Sequence, residues 1–200
     1  MSAYCDPSRR QLLRSVAAAG GLGLTGYADL VRGQELAPTP ECRDNDPPTL
    51  PEIEGPFFKP RSPERADLTA PPGRGRLTEL SGYVLTRGCR PVSRALLELW
   101  HADDAGEYDN RGFRYRGHIF TDAQGRYRFR TIMPGLYPGR TRHYHLKVQA
   151  PTRPVLTTQL YFPNEPLNLR DGSFHPELLM RMADAGQGLA ARFDFVLDMR

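Results

Sequence analysis

A series of short β-prone runs separated by turn residues constrains the fold of this chain most strongly. The runs alternate apolar and polar positions or are rich in β-branched and aromatic residues, with Gly, Pro, Asn and Asp between them. They are Leu80–Leu85, Ala95–Trp100, His118–Thr121, Tyr127–Ile132, His143–Val148, Thr157–Phe162 and the alternating residues 193–197. Short strands spaced by turns predict an all-β fold, an antiparallel β-sandwich with long loops and little helix.

The length and composition fit one globular domain with an N-terminal extension. The chain has 200 residues, and its 19 Gly and 19 Pro predict many turns. Residues 29–51 are rich in Pro and polar residues and are interpreted as an N-terminal arm, followed by the sandwich domain over 52–200. Within that domain, residues 177–190 are predicted to hold one short helix.

The first 28 residues resemble an export signal. Ser8-Arg9-Arg10-Gln11-Leu12-Leu13 is a twin-arginine pattern, followed by a mildly apolar stretch from Ser15 to Ala28. Fourteen residues are too few to cross a bilayer, so we expect no stable membrane anchor. The pattern predicts export by the twin-arginine route to the periplasm or the outside, with cleavage after Ala28. The alternative is a disordered basic tail.

Charge and cysteine content restrict the partners and the redox environment. The formal net charge is +4, but no block of like charge stands out, which argues against nucleic acid as a partner. Outside the signal, the remaining thiols are Cys42 and Cys89. In an exported chain they are candidates for a disulfide that ties the arm to the domain, and the alternative is two unrelated thiols.

Two histidines form the first candidate for a metal site. On a strand, side chains alternate between faces, so His143 and His145 point to the same side. Such a pair can bind a metal, although many pairs are ordinary surface histidines. Tyr108 and Tyr137 each follow a turn, where a loop can present a side chain. A phenolate suits a trivalent cation; the alternative for each tyrosine is a half-buried residue with a hydrogen-bonded hydroxyl.

Several blocks in sequence order together resemble the intradiol ring-cleavage dioxygenases, the family of catechol 1,2-dioxygenase and protocatechuate 3,4-dioxygenase. The resemblance covers about residues 50–165. The blocks are Glu54-Gly55-Pro56-Phe57-Phe58, Leu99-Trp100-His101-Ala102-Asp103 through Gly106-Glu107-Tyr108, Thr121-Asp122 through Pro134-Gly135-Leu136-Tyr137-Pro138, Arg140-Thr141-Arg142-His143-Tyr144-His145, and Leu156-Thr157-Thr158-Gln159-Leu160-Tyr161-Phe162.

The resemblance implies a non-haem iron(III) site and a reaction. Its metal ligands would be Tyr108, Tyr137, His143 and His145, with a hydroxide in a fifth position. Arg140 and Gln159 would lie beside the substrate ring, and Tyr137 would leave the metal and take up a substrate proton. The implied reaction opens a catechol-type ring between its hydroxyl-bearing carbons with O2 and gives a cis,cis-muconate-type diacid.

The same residues allow other interpretations. A facial triad for iron(II) would use the two histidines with Asp103, Asp104 or Asp122. An exported sandwich could also be a binding module with an inactive or different metal site. Trp100 is interpreted as core, His101, His118 and His175 receive no role, and a homodimer is compatible with the arm and with exposed strand edges. Arg142 is the alternative to Arg140 for the position beside the substrate ring.

Overall fold

The computed structural model describes residues 42–43, 46–69 and 74–200, and the predicted signal over 1–28 lies outside them. The described residues form nine strands and two short 3-10 turns, Pro166–Leu169 and Pro176–Leu178, with no α-helix among them. The strands are β1 Leu77–Thr86, β2 Leu96–Trp100, β3 Arg116–Phe120, β4 Arg126–Ile132, β5 His143–Gln149, β6 Leu156–Tyr161, β7 Arg181–Ala185, β8 Gly188–Arg192 and β9 Phe195–Leu197. No helix in this part of the chain is long and apolar enough to span a membrane.

The strands form two sheets, and the predicted β-sandwich is confirmed. One sheet has the order β4-β1-β8-β7, with β9 also paired to β1, and the other has the order β3-β2-β5-β6. Most pairings are antiparallel, but β1 pairs in parallel with both β8 and β9. The first sheet is therefore mixed, which differs from the purely antiparallel arrangement that the sequence predicted.

Alternation along the strands builds the core between the sheets. Leu80 and Val84 on β1, Leu97 and Leu99 on β2, and Phe129 on β4 are fully buried. On β5, the core face is formed by the residues that alternate with the histidines, namely Tyr144, Leu146 and Val148. His143 and His145 consequently point away from the core, to the outer face of the second sheet.

Residues 50–65 cover that outer face. The segment is fixed by backbone hydrogen bonds from Glu52 N–H to the Thr157 carbonyl, 2.8 Å, and from Arg65 N–H to the His118 carbonyl, 2.9 Å. Its Phe58 packs on Trp100, with ring centroids 5.0 Å apart. Polar side chains on the outer face are thus enclosed between the sheet and this segment.

The short helix expected over 177–190 was wrong. A 3-10 turn, Pro176–Leu178, is followed by the antiparallel hairpin of β7 and β8. Gly186 in the turn of this hairpin has φ +60°, a left-handed conformation that glycine adopts without strain. The turn chemistry of Gly186 and Gly188 therefore outweighs the helix propensity of the alanines beside them.

Cys42 and Cys89, which lie 47 positions apart in sequence, form a disulfide. Cys89 lies in the tight turn after β1, so the bond attaches the N-terminal arm to the body of the sandwich. Thr49 holds the same arm through hydrogen bonds to Val196 in both directions. Disulfides persist in oxidising compartments, so the bond is compatible with export.

Removing the disulfide should destabilise the protein. Closing a loop of this length restricts the unfolded chain, and we expect the Cys42→Ser/Cys89→Ser protein to lose about 2–4 kcal/mol of unfolding free energy. Guanidinium unfolding monitored by circular dichroism measures the difference. A reductant should destabilise the wild-type protein by a similar amount and leave the double variant unchanged. Equal stability of the oxidised and reduced wild type would mean that hydrogen bonds alone secure the arm.

Candidate metal centre

One row of residues across the second sheet defines the candidate site. Trp100 on β2 lies directly opposite Arg116 on β3 and His145 on β5, and His145 lies opposite Gln159 on β6. Directly opposed residues share a face, so all four point to the outer side of the sheet. All four are buried, because residues 50–65 cover this face.

His143 and His145 bring two ring nitrogens together. Their Nε2 atoms are 3.0 Å apart. The Nδ1 atom of His143 lies 2.6 Å from the Thr141 carbonyl, which can only accept, so this nitrogen carries the proton and the Nε2 lone pair faces His145. Burial lowers the pKa of His143 to about 4, which keeps the ring neutral near pH 7. A neutral imidazole with a fixed tautomer is the form that binds a metal.

Packing holds the His145 ring. It stacks on the Trp100 indole with centroids 5.0 Å apart and 7° between the planes. Gly55, with φ +73°, lies so close that an added Cβ would be 3.3 Å from His145 Cε1. Burial lowers the pKa of His145 well below its ordinary value, and the neighbouring His143 acts in the same direction.

Tyr108 reaches both histidines from the loop between β2 and β3. Its hydroxyl oxygen is 3.0 Å from His145 Nε2 and 3.5 Å from His143 Nε2. Gly106, at φ +88°, lets this loop approach the Leu136 carbonyl more closely than a side chain would permit. Burial raises the pKa of Tyr108 well above its ordinary value, while the charge of Arg140 opposes that shift.

Tyr137 lies beside this cluster, on the loop between β4 and β5. Its ring meets the Tyr108 ring edge to face with centroids 5.8 Å apart, and it meets Phe57 in the same way at 5.3 Å. Within the described residues, its hydroxyl makes no hydrogen bond to Tyr108, His143 or His145. Three of the four predicted ligands therefore converge, and the fourth is their neighbour.

Arg140 and Gln159 form a bonded pair next to the three converging groups. Arg140 Nη2 donates to Gln159 Oε1 at 2.6 Å, and Gln159 Nε2 donates to the Ile53 carbonyl at 2.9 Å. Asp171 accepts from Arg140 Nε at 2.9 Å and from the Thr141 N–H at 2.8 Å. Arg142 pairs with Glu165 instead, so Arg140 is the arginine held at this place.

The donor set fits a cation with hard oxygen and imidazole ligands. Two donors that share one metal ion lie about 3.0–3.5 Å apart, because each is about 2.1 Å from the metal. The three separations among Tyr108, His143 and His145 are 3.0, 3.0 and 3.5 Å. The described part of the chain contains no group of three or more His, Cys, Asp or Glu able to hold a metal. A facial triad therefore lacks its carboxylate there, and the tyrosine oxygen is the donor that completes the cluster.

Trp100 and the three histidines outside the ligand pair each contact specific neighbours in the structure. Trp100 is buried against His145, so it supports the site from within the covered sheet face. His101 lies between the Ala102 carbonyl, 2.7 Å, and the Thr131 hydroxyl, 2.6 Å. His118 contacts the Ser62 hydroxyl, and His175 pairs with Glu52.

Sequence reasoning missed two charged residues near the site. Asp171 lies beyond every recognised block, and a lone Asp between Arg and Gly resembles any turn residue. Arg116 starts β3 and is almost completely buried, but nearly all of the 27 basic residues in this chain are arginine. Only the fold shows which arginine is enclosed.

Gly55 offers a test of how closely the site is packed. An alanine at this left-handed position is strained by about 1–2 kcal/mol, and its methyl group would press on the His145 ring. We expect Gly55→Ala to retain several-fold less iron(III) after purification, measured by elemental analysis. Gly186→Ala is the control, since Gly186 has φ +60° with nothing within 4 Å of an added Cβ. Equal iron content in the two variants would show that Gly55 does not position His145.

Comparison with curated proteins finds relatives that are named as dioxygenases. The chain is 35% identical over 152 residues to the protocatechuate 3,4-dioxygenase beta chain of Burkholderia cepacia, covering 62% of this chain. It is 30% identical over 182 residues to catechol 1,2-dioxygenase 2 of Acinetobacter lwoffii, covering 78% of this chain. The matched region spans 65% of the length of each relative.

Solved structures and a family model agree with these matches. The dioxygenase domain of a dioxygenase carbohydrate-binding protein fusion from Streptomyces sp. SirexAA-E has 55% identity and a TM-score of 0.76, covering 77% of this chain and 100% of that domain. The 3-chlorocatechol 1,2-dioxygenase of Rhodococcus opacus 1CP has 28% identity and a TM-score of 0.70, covering 76% and 74%. The Dioxygenase family model matches residues 53–199. The chain therefore belongs to the intradiol ring-cleavage dioxygenase family, whose members typically use non-haem iron(III).

Proposed function

We propose that this protein opens a catechol-type ring between its two hydroxyl-bearing carbons, using O2 at a non-haem iron(III) site, to give a cis,cis-muconate-type diacid. The observation that carries the proposal is the convergence of Tyr108 Oη with the Nε2 atoms of His143 and His145, within 3.5 Å of one another. The curated relatives are a catechol and a protocatechuate dioxygenase by name.

The ligands would be Tyr108, Tyr137, His143 and His145. The two histidines are buried and neutral, so they supply no charge. Two phenolates supply two negative charges, which suit a trivalent cation far better than zinc or magnesium. Without a cation, burial keeps Tyr108 a neutral phenol near pH 7. A trivalent ion would reverse that preference, so the pocket favours a metal that binds phenolate strongly.

Tyr137 is suited to move a proton when the substrate binds. A catechol that binds through both oxygens loses two protons, and the phenolate oxygen of Tyr137 can accept one of them. Tyr137 is only half-buried, and its contacts to Tyr108 and Phe57 are ring edges, so little holds its hydroxyl in place. The chemistry that bound iron(III) supplies is chelation of the catecholate and withdrawal of electron density from its ring, which makes a ring carbon reactive toward O2.

Arg140 would stabilise negative charge on the bound ring. Asp171 and Gln159 fix its guanidinium from two sides, so little reorganisation is needed during reaction. Burial raises the pKa of Tyr108 and lowers that of His143; the charge of Arg140 opposes the first shift and adds to the second, which supports a role for Arg140 beside the cluster. A fixed charge of this kind contributes on the order of a few kcal/mol to transition-state stabilisation.

Visible spectroscopy of ligand variants tests the proposal. Tyrosinate bound to iron(III) gives a broad charge-transfer band and a burgundy colour, and direct binding of catechol shifts the band to longer wavelength. We expect the wild type to show both effects under anaerobic conditions. Tyr108→Phe and Tyr137→Phe should each weaken the band, whereas Tyr83→Phe, a change on the opposite sheet, should leave it intact.

The same spectra, combined with turnover, test the role of Arg140. Arg140→Gln should keep the band but lower ring-cleavage turnover by about 100-fold, because it removes charge stabilisation and leaves the ligands in place.

An iron-replete but colourless wild type would contradict the tyrosinate ligands and favour a site built on His143 and His145 alone. A protein that retains no iron would favour the binding-module alternative.

We further propose that residues 1–28 direct export by the twin-arginine route. The Cys42–Cys89 disulfide supports this, because such bonds persist outside the cytoplasm. In a bacterial host with this pathway, we expect the full chain to be recovered from the periplasm or medium. Replacing Arg9 and Arg10 together by Lys should leave it in the cytoplasm, as shown by immunoblotting of cell fractions. Unchanged export of that variant would contradict the signal.

A further inference from the structure

Arg116 is a buried cation in the candidate site that no step above uses. It is 1% exposed and begins β3, opposite Trp100. Its Nη1 donates to the Phe57 carbonyl at 2.6 Å, and its Nε donates to the Asp109 carbonyl at 3.1 Å. Its Nη2 has no hydrogen-bond partner among the described residues.

The two carbonyls that Arg116 binds belong to the two residues that hold Tyr108, namely Asp109 through the backbone and Phe57 through ring stacking. Asp109 follows Tyr108 directly, so its carbonyl fixes the backbone from which the ring extends. Phe57 stacks on the Tyr108 ring with centroids 4.3 Å apart and 14° between the planes. One guanidinium therefore joins the backbone beside Tyr108 to the segment that covers its ring.

The choice of partners sets Arg116 apart from Arg140 and Arg142. Arg140 and Arg142 pair with the carboxylates of Asp171 and Glu165. Arg116 instead bonds only to carbonyls within the described chain. The Asp109 carboxylate, although close in sequence, accepts the N–H groups of Arg111, Gly112 and Arg114 and closes its own loop. A buried guanidinium is costly to enclose without a carboxylate, and its planar fork suits the bridging of two fixed acceptors.

We propose that Arg116 is a positioning residue for Tyr108: through the Phe57 and Asp109 carbonyls it fixes the phenol oxygen against His143 and His145. The inference rests on the proposed function, since it takes Tyr108 to be an iron ligand. Arg116 makes no hydrogen bond to the loop of Tyr137 within the described residues, and that loop is held instead by Arg142 Nη1 donating to the Pro134 carbonyl and by the Arg140 N–H donating to the Tyr137 carbonyl at 3.0 Å. The two tyrosine loops are therefore held by different arginines, and a change at Arg116 should act on Tyr108 selectively.

Single-tyrosine proteins separate the two ligands in an experiment. In iron-loaded Tyr137→Phe protein the charge-transfer band comes from Tyr108 alone, and in Tyr108→Phe protein it comes from Tyr137 alone. Arg116→Met keeps similar length but removes every donor. Added to Tyr137→Phe, it should lower the band per bound iron by about tenfold or more, because two charge-assisted hydrogen bonds are lost. Added to Tyr108→Phe, it should leave the band within about twofold.

The outcomes distinguish failure of this inference from failure of the proposed function. An iron-loaded Tyr137→Phe protein without any band would contradict the ligand assignment itself, and the role of Arg116 with it. Bands present in both single-tyrosine proteins but weakened equally by Arg116→Met would overturn only the positioning role, because the change would then act on the fold in general. Arg116→Lys, which keeps the charge and one donor group, serves where the Met variant does not fold. It should weaken the Tyr108 band selectively, and an equal effect on both tyrosines would again overturn the inference.

Discussion

The structure depends on the enclosure of a polar row on the outer face of one sheet. Arg116, Trp100, His145 and Gln159 lie side by side across four strands and are all buried. Polar groups in such a row destabilise the protein unless each finds a partner. Residues 50–65 provide partners for two members of the row, since the carbonyls of Ile53 and Phe57 accept from Gln159 and Arg116. The covering segment is therefore part of the site, although it contributes no ligand.

Burial also determines what the site can hold. His143 and His145 are neutral because water is excluded, and Tyr108 resists ionisation for the same reason. A dication with weak affinity for oxygen would gain little from such a pocket. A trivalent cation, in contrast, would ionise the phenol, and the resulting phenolate would offset part of its charge. On the proposed function, the enclosure that disfavours charged side chains in the metal-free protein would favour a trivalent cation over a dication.

Local rules predicted where part of the site lies, and the family resemblance implied its set of ligands. Strand alternation places His143 and His145 on one face, and turn residues place Tyr108 and Tyr137 on loops at the ends of strands. The positions that could not be predicted depend on long-range packing. The parallel pairing of β1 with β8 joins residues more than 100 apart, and no periodicity signals it. Asp171 and Arg116 gain their importance from what lies next to them in space.

Residues 64–68 lie along the edge strands at one side of the sandwich. Glu64 forms a bridge to His118 on β3, and Asp67 forms one to Arg130 on β4. These two strands are the outermost members of their sheets on the same side, and their free backbone groups would otherwise invite another chain to add a strand. This one segment thus pairs with the edge strand of each sheet, β3 and β4. At His118 and Arg130, this side of the sandwich therefore leaves little unpaired backbone to which another chain could add a strand.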